Sequence, residues 1–274
     1  MSPRLRGGWT PLMLASYAGH AEVAGVLVEA GALTNSRLAG GWSPLLLACA
    51  HGRTEVARVL LEAGAPLDAC NGSGTSPLML ACGGGHTGLV SCLLRSRADH
   101  RAIDGEGRTA LGWACERGRE SVVRELLAAN ASPGAAMPAG TTLLMLAAHG
   151  GHAGIVRELI RAGAASGLDV VREDGATALS LAVLCAPDEA AEGVAEELLE
   201  SGASAEIEPR SSRDRAEPLR PSVGVPLASP APFTGFLSSN RCICAAGDCA
   251  LGVPSRSIAH GARAYYEVSL HRRS

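Results

Sequence analysis

Three residue markers recur at a fixed interval of 33 along most of this sequence, and an interval of that length admits few architectures. Pro11, Pro44 and Pro77 are 33 apart, and the same step continues to Ala110 and Leu143. Gly19, Gly52, Gly85, Gly118 and Gly151 keep the step, as do Leu27, Leu60, Leu93, Leu126 and Leu159. Markers that stay in register through five copies describe one unit used repeatedly: a solenoid, in which each unit packs only on its neighbours. A sixth copy is looser. Its Thr177-Ala178-Leu179 lies 35 residues beyond Thr142-Leu143-Leu144, and its Leu198-Leu199 lies 39 beyond Leu159-Ile160. The spacing predicts two extra residues before the first helix of that copy and four in the connection between its helices.

Each copy reads as a helix pair. In Gly8-Trp9-Thr10-Pro11-Leu12-Met13-Leu14-Ala15, Thr10 is placed as an N-cap and Pro11 sits at the first helical position, where a missing N–H costs nothing. Ser43-Pro44 and Ser76-Pro77 repeat the device. Leu12, Leu14 and Ala15 supply an apolar stripe, and Gly19 ends the helix. Glu22, Val23, Val26 and Leu27 then mark a second helix closed by Gly31. Helices this short are marginal alone and need neighbours on both sides.

The recurring pattern G-x-T-P-L-x-L-A, then G-H, then V-x-x-L-L, then G-A resembles the ankyrin repeat over roughly residues 7–205. The resemblance implies a stack of antiparallel helix pairs with β-hairpin tips, an all-α type of solenoid. Its concave face, made of tips and first helices, is implied to bind a protein partner. Repeats are expected near 8–40, 41–73, 74–106, 107–139, 140–174 and 175–205. The family's His in T-P-L-H is absent throughout; Met13, Leu46, Met79, Gly112, Met145 and Ser180 stand there, which removes a hydrogen bond that family members often make. The D-x-x-G of the hairpin survives cleanly only in Asp104-Gly105-Glu106-Gly107. Neither end shows an obvious polar cap, so a longer array or exposed apolar end faces are expected.

Residues 206–232 carry six prolines among Arg and Ser and read as a disordered linker. In the tail, 233–274, Gly261 to Val268 resembles the early strand of a SPRY domain; the alternative is an unstructured extension.

Chemistry-bearing clusters are few. Cys49, Cys82 and Cys115 share one repeat position with Ser16 and Ala148, which marks a small-residue packing site. Cys242, Cys244 and Cys249 lack the paired spacing of structural zinc and read as free thiols. His20, His86 and His152 alternate with Arg53 and Arg119 in one row, which suits backbone hydrogen bonding at the helix turn and not a catalytic base. Gly83-Gly84-Gly85 lacks the Lys and Ser/Thr of a phosphate loop. No enzyme activity, cofactor or metal is expected. A formal net charge of −3, with all 24 basic residues arginine, offers no long-range attraction for nucleic acid or an anionic membrane. Neither a signal peptide nor a transmembrane helix is expected.

Trp113 takes the place of Leu14, Leu47, Leu80 and Leu146 and is expected in the core. Trp9 and Trp42 occupy the variable position between Gly and Thr or Ser, on the tip side of the inner face. The residues before each G-H or G-R form a second variable row. Partner contacts are therefore expected from Trp9, Tyr17, Trp42, His51, Asp104, Glu106, Arg108, Glu116, Arg117 and His149, grading from aromatic to charged. The function expected is a monomeric cytoplasmic scaffold, with the nucleus as a second compartment. The alternatives are a substrate-recognition subunit of a ubiquitin ligase and a regulatory piece of a larger enzyme or channel.

Overall fold

The computed structural model describes residues 8–135, 137–186 and 188–205. Among them the chain forms six antiparallel helix pairs. The first three are α1 (Pro11–Ala18) with α2 (Ala21–Glu29), α3 (Pro44–Ala50) with α4 (Thr54–Glu62), and α5 (Pro77–Gly84) with α6 (Thr87–Arg95). The next three are α7 (Ala110–Glu116) with α8 (Glu120–Ala128), α9 (Leu143–His149) with α10 (Ala153–Arg161), and α11 (Ala178–Cys185) with α12 (Asp188–Glu200). Odd-numbered helices pack on one another in an inner row and even-numbered helices in an outer row. The core lies between the rows. Leu60, Leu93, Leu126 and Leu159 are each fully buried there, which accounts for the leucine marker.

Every inner helix begins at a side-chain cap. Thr10, Ser43, Ser76, Thr109, Thr142 and Thr177 each accept a bond from the backbone N–H three residues on, at 3.2–3.3 Å. The residue that donates is the one standing where the family carries His. In three copies its side chain also returns a bond to the cap. Met79 Sδ accepts from Ser76 N at 3.4 Å, Met145 Sδ from Thr142 N at 3.5 Å, and Ser180 Oγ from Thr177 N at 2.8 Å. The missing histidine is thus replaced by a reciprocal box, weakly with sulfur and more strongly with the serine hydroxyl.

The tips are tight turns, and no strand occurs among the described residues. Leu38, Asn71, Asp104, Met137 and Arg172 each donate their N–H to the carbonyl four residues on. Adjacent tips are tied by one further bond: Gly72 N to Gly40 O at 2.7 Å, Gly105 N to Ser73 O at 2.9 Å, and Glu173 N to Ala139 O at 3.2 Å. In this series the place between Gly105 and Glu173 is held by Pro138, which has no N–H to donate.

Two expectations about helix faces change. The four-residue insertion in the sixth copy does not lengthen a connection. Asp188 starts α12 ten residues after Ala178 starts α11, the same offset as Ala153 from Leu143, and α12 is 13 residues long where its equivalents have 9. Four residues are close to one helical turn, so the apolar face stays in register and Val194 and Leu198 remain fully buried. In α1, Leu14 does not join the buried stripe but is 43% exposed; α3 alone of the described inner helices packs against α1. Val23 and Val26 of α2 are likewise exposed, whereas Val56, at the position of Val23 one copy later, is buried.

Residues 206–232 and 233–274, including the SPRY-like segment and the Cys242–Cys249 cluster, lie outside the described residues.

Candidate functional site

The face made by the tips and the inner helices carries two clusters, at different ends of the expected contact series. In the first, Trp9 meets Tyr17 edge-on with ring centroids 6.1 Å apart, and Tyr17 meets His51 at 4.4 Å. Tyr17 is exposed, while Trp9 and His51 are half-buried, so the aromatic edge is open to a partner. Trp42 is half-buried too but makes neither of these ring contacts, lying instead beside Gly40 of its own tip.

The second cluster is organised by Asp104, the Asp of the tip motif. Its Oδ1 accepts the backbone N–H of Glu106 at 2.9 Å and of Arg108 at 2.8 Å, a turn-closing arrangement. Its Oδ2 accepts Arg108 Nε at 3.0 Å and Trp113 Nε1 at 2.9 Å. Burial pushes the Asp104 carboxyl up, but the Arg108 amide, the Trp113 indole and the Arg108 guanidinium outweigh it and hold the group below the usual carboxylate range. With a side chain only 2% exposed, Asp104 positions its neighbours and offers no surface of its own. Arg108 bridges further to Glu106 at 3.1 Å and Glu116 at 3.3 Å.

Trp113 is in the core as expected, at 7% exposure, yet it is also the centre of this cluster. Arg108 and Arg117 each place the guanidinium carbon over its ring, at 4.6 Å and 5.0 Å from the centroid, so two cations share one indole. Burial lowers the Arg117 pKa; Glu116 counteracts, and the nearby charges of Arg108 and Arg119 push it further down. The ring fits because Gly83 stands opposite, where a Cβ would come within 2.8 Å of Trp113 Cε3. Asn71, one copy before Asp104, makes the same turn closure by accepting from Ser73 N and Thr75 N. His149 is half-buried at the last residue of α9.

At the other end of the inner helices runs a ladder that the G-H and G-R motifs encode. Arg53 Nε donates to the Tyr17 carbonyl and Arg119 Nε to the Gly83 carbonyl, both at 3.1 Å. His86 and His152 donate to the backbone carbonyls of Ala50 and Glu116. Donors and acceptors are each 33 apart, so every donor reaches back one repeat to cap the preceding inner helix. Each donor also lies on a motif glycine of that preceding repeat: Arg53 on Gly19, His86 on Gly52, Arg119 on Gly85 and His152 on Gly118. The recurrent glycine therefore serves the next repeat as well as its own helix end.

Three histidines here are shifted. Burial, the largest cause in each, pushes His51, His86 and His152 below the ordinary value of 6.5, helped by Arg53 for the first two and by Arg119 for the last two. Because the unfolded chain then takes up protons first as pH falls, their contribution to stability is complete above about 6.5 and is lost as pH drops toward the folded values. Thermal unfolding should accordingly occur at lower temperature at pH 5.5 than at pH 7.5. Replacing His86 and His152 by Arg, the residue used at 53 and 119, should flatten that dependence; an unchanged slope would show that the ladder is not its source.

Cys49, Cys82 and Cys115 are fully buried, and burial pushes their thiols up, consistent with packing rather than reactivity. No helix among the described residues is long and apolar enough to cross a membrane.

The sequence matches a family model described as ankyrin repeats (3 copies) over residues 2–69, 64–137 and 117–209. Among solved structures, the human ASB11 ankyrin repeat domain is similar with a TM-score of 0.65 and 26% identity, covering 72% of this chain and 86% of that one. Comparison with curated proteins gives no match.

Proposed function

The chain belongs to the ankyrin-repeat family, and on that premise we propose that it is a non-enzymatic scaffold whose tips and inner helices hold one protein partner. Ankyrin repeats are protein–protein interaction modules, built to present an extended surface from stacked units. The observation that carries the reading is the open aromatic edge of Trp9, Tyr17 and His51, on the same face as the Trp113 cluster. Aromatic and arginine side chains that are fixed before binding lose little freedom on contact, and they are favoured as interface anchors. Trp9, Tyr17, Trp42 and His51 form the apolar end of the surface; Glu106, Arg108, Glu116 and Arg117 form its charged end, with His149 beyond. Asp104 serves by holding Arg108 and Trp113.

Affinity capture with the full chain, followed by cross-linking of the captured protein, tests this. Tyr17→Ala and Trp42→Ala should each weaken capture by about 2 kcal/mol with thermal unfolding unchanged. Cross-links confined to the outer helices, or full capture by the double variant, would refute the assignment of the face.

A further inference from the structure

We infer that the turn ends of the inner helices in the second to fourth repeats form a docking strip for an acidic, extended segment of a partner protein. The inference rests on the inner face being the partner face and names the chemistry of one edge of it. The strip consists of His51 and Arg53 after α3, His86 after α5, and Arg117 and Arg119 after α7.

On the outer helices Arg58, Arg124, Arg157 and Arg161 are ion-paired with glutamates, whereas Arg95 at the end of α6 is not. Among the described residues Arg53, Arg117 and Arg119 make no ion pair. Arg53 and Arg119 each use Nε on a carbonyl, which leaves the terminal nitrogens of a five-donor group for something else. Arg117 is half-buried with its guanidinium carbon over the Trp113 ring, and the one carboxylate that acts on it, Glu116, is already bonded to Arg108. The positive groups also act on one another: Arg53 disfavours a proton on His51 and His86, and Arg119 does so on His86 and Arg117. A partly buried guanidinium with no counter-charge is an incomplete arrangement, and a carboxylate completes it with two parallel hydrogen bonds.

Spacing selects the occupant. Packed helices lie about 8–10 Å apart, so the turn of the fourth repeat is roughly 16–20 Å from that of the second. An extended chain rises about 3.3 Å per residue and covers this in about five or six residues, which sets the separation of the carboxylates that engage Arg53 and the Arg117–Arg119 pair. Nucleic acid is the less suitable polyanion, because it carries a charge on every residue and must meet Glu106 and Glu116, which bond Arg108, whereas a peptide places its carboxylates only where arginines face them.

The test uses the full chain and a fluorescein-labelled peptide of alternating glutamate and serine, with its glutamine counterpart as control. The glutamate peptide should bind about tenfold or more tightly than the control, and added salt should weaken it. Arg117→Gln should reduce the affinity by about the same factor. Arg53→His with Arg119→His, measured at pH 8, keeps the carbonyl ladder in the form used at 86 and 152 and removes the fixed charge, so affinity should fall while the unfolding temperature holds. Equal binding of the two peptides, or binding indifferent to all three substitutions, overturns the inference, as does tighter binding of a single-stranded oligonucleotide. These results leave the scaffold reading intact if Tyr17→Ala and Trp42→Ala still release the captured partner. Persistent capture by those variants, with acidic binding retained, overturns the aromatic end instead.

Discussion

Replacing Trp113 by alanine should destabilise the array by about 3–5 kcal/mol, among the largest losses available to a single substitution in this chain. The ring is 7% exposed and packs against Gly83, so its removal opens a large cavity beside a residue that has no side chain to fill it. Asp104 loses the indole donor while remaining buried, and both flanking guanidinium groups lose the surface that holds them. Trp113→Phe separates these effects. It keeps most of the apolar volume but leaves Asp104 Oδ2 short of one bond, for which about 1–3 kcal/mol is expected. Urea unfolding of both variants, compared at equal slope, measures the two losses. A cost below about 1 kcal/mol for alanine would mean that the indole is not packed as described.

The second large effect lies in the ladder. Gly52→Ala should cost about 2–3 kcal/mol, the sum of a left-handed backbone on an alanine at about 1–2 kcal/mol and a disrupted hydrogen bond at about 1 kcal/mol. At Gly52 φ is +65°, and a Cβ would sit 2.5 Å from His86 Nδ1, so the imidazole must leave the Ala50 carbonyl. Gly64 is the control: its φ is +75° with nothing near the added methyl, so alanine there carries the backbone cost alone. If Gly52→Ala and Gly64→Ala prove equally destabilising in thermal unfolding, the next repeat does not rest on the motif glycine.

Much of this architecture was legible in the sequence because it depends on local chemistry. Ser/Thr-Pro pairs fix where inner helices begin, and the leucine marker fixes which side of each pair is buried. The contacts that run between repeats were less accessible. Tyr17 and His51 are 34 residues apart, and whether their rings touch depends on how one repeat is rotated on the next, which no periodicity states. The partnership of Trp113 with Gly83 did leave a trace: the copy before Trp113 carries a glycine where Tyr17, Ala50, Glu116 and His149 stand. Likewise Asn71-Gly72-Ser73-Gly74 keeps the turn geometry of the Asp104 motif under a different residue. The insertion in α12 was misplaced because spacing counts residues without assigning them. The composition of Glu189-Ala190-Ala191-Glu192, good helix formers throughout, favours a longer helix over a longer connection.

Pro138 divides the tips into two rafts. Those from Leu38 to Arg108 are cross-braced by amides from Gly72 and Gly105, and those from Met137 to Ala176 by the amide of Glu173, with no brace possible at the proline itself. A ligand lying across the tips of repeats two to four meets a surface braced in advance, whereas one that straddles the fourth and fifth tips must supply the missing stiffness from its own contacts. Bending of the array is expected to concentrate at that seam. Pro138→Gly, which restores an N–H opposite Glu106 O, should slow amide exchange in the tips on both sides of it; unchanged exchange would place the flexure elsewhere.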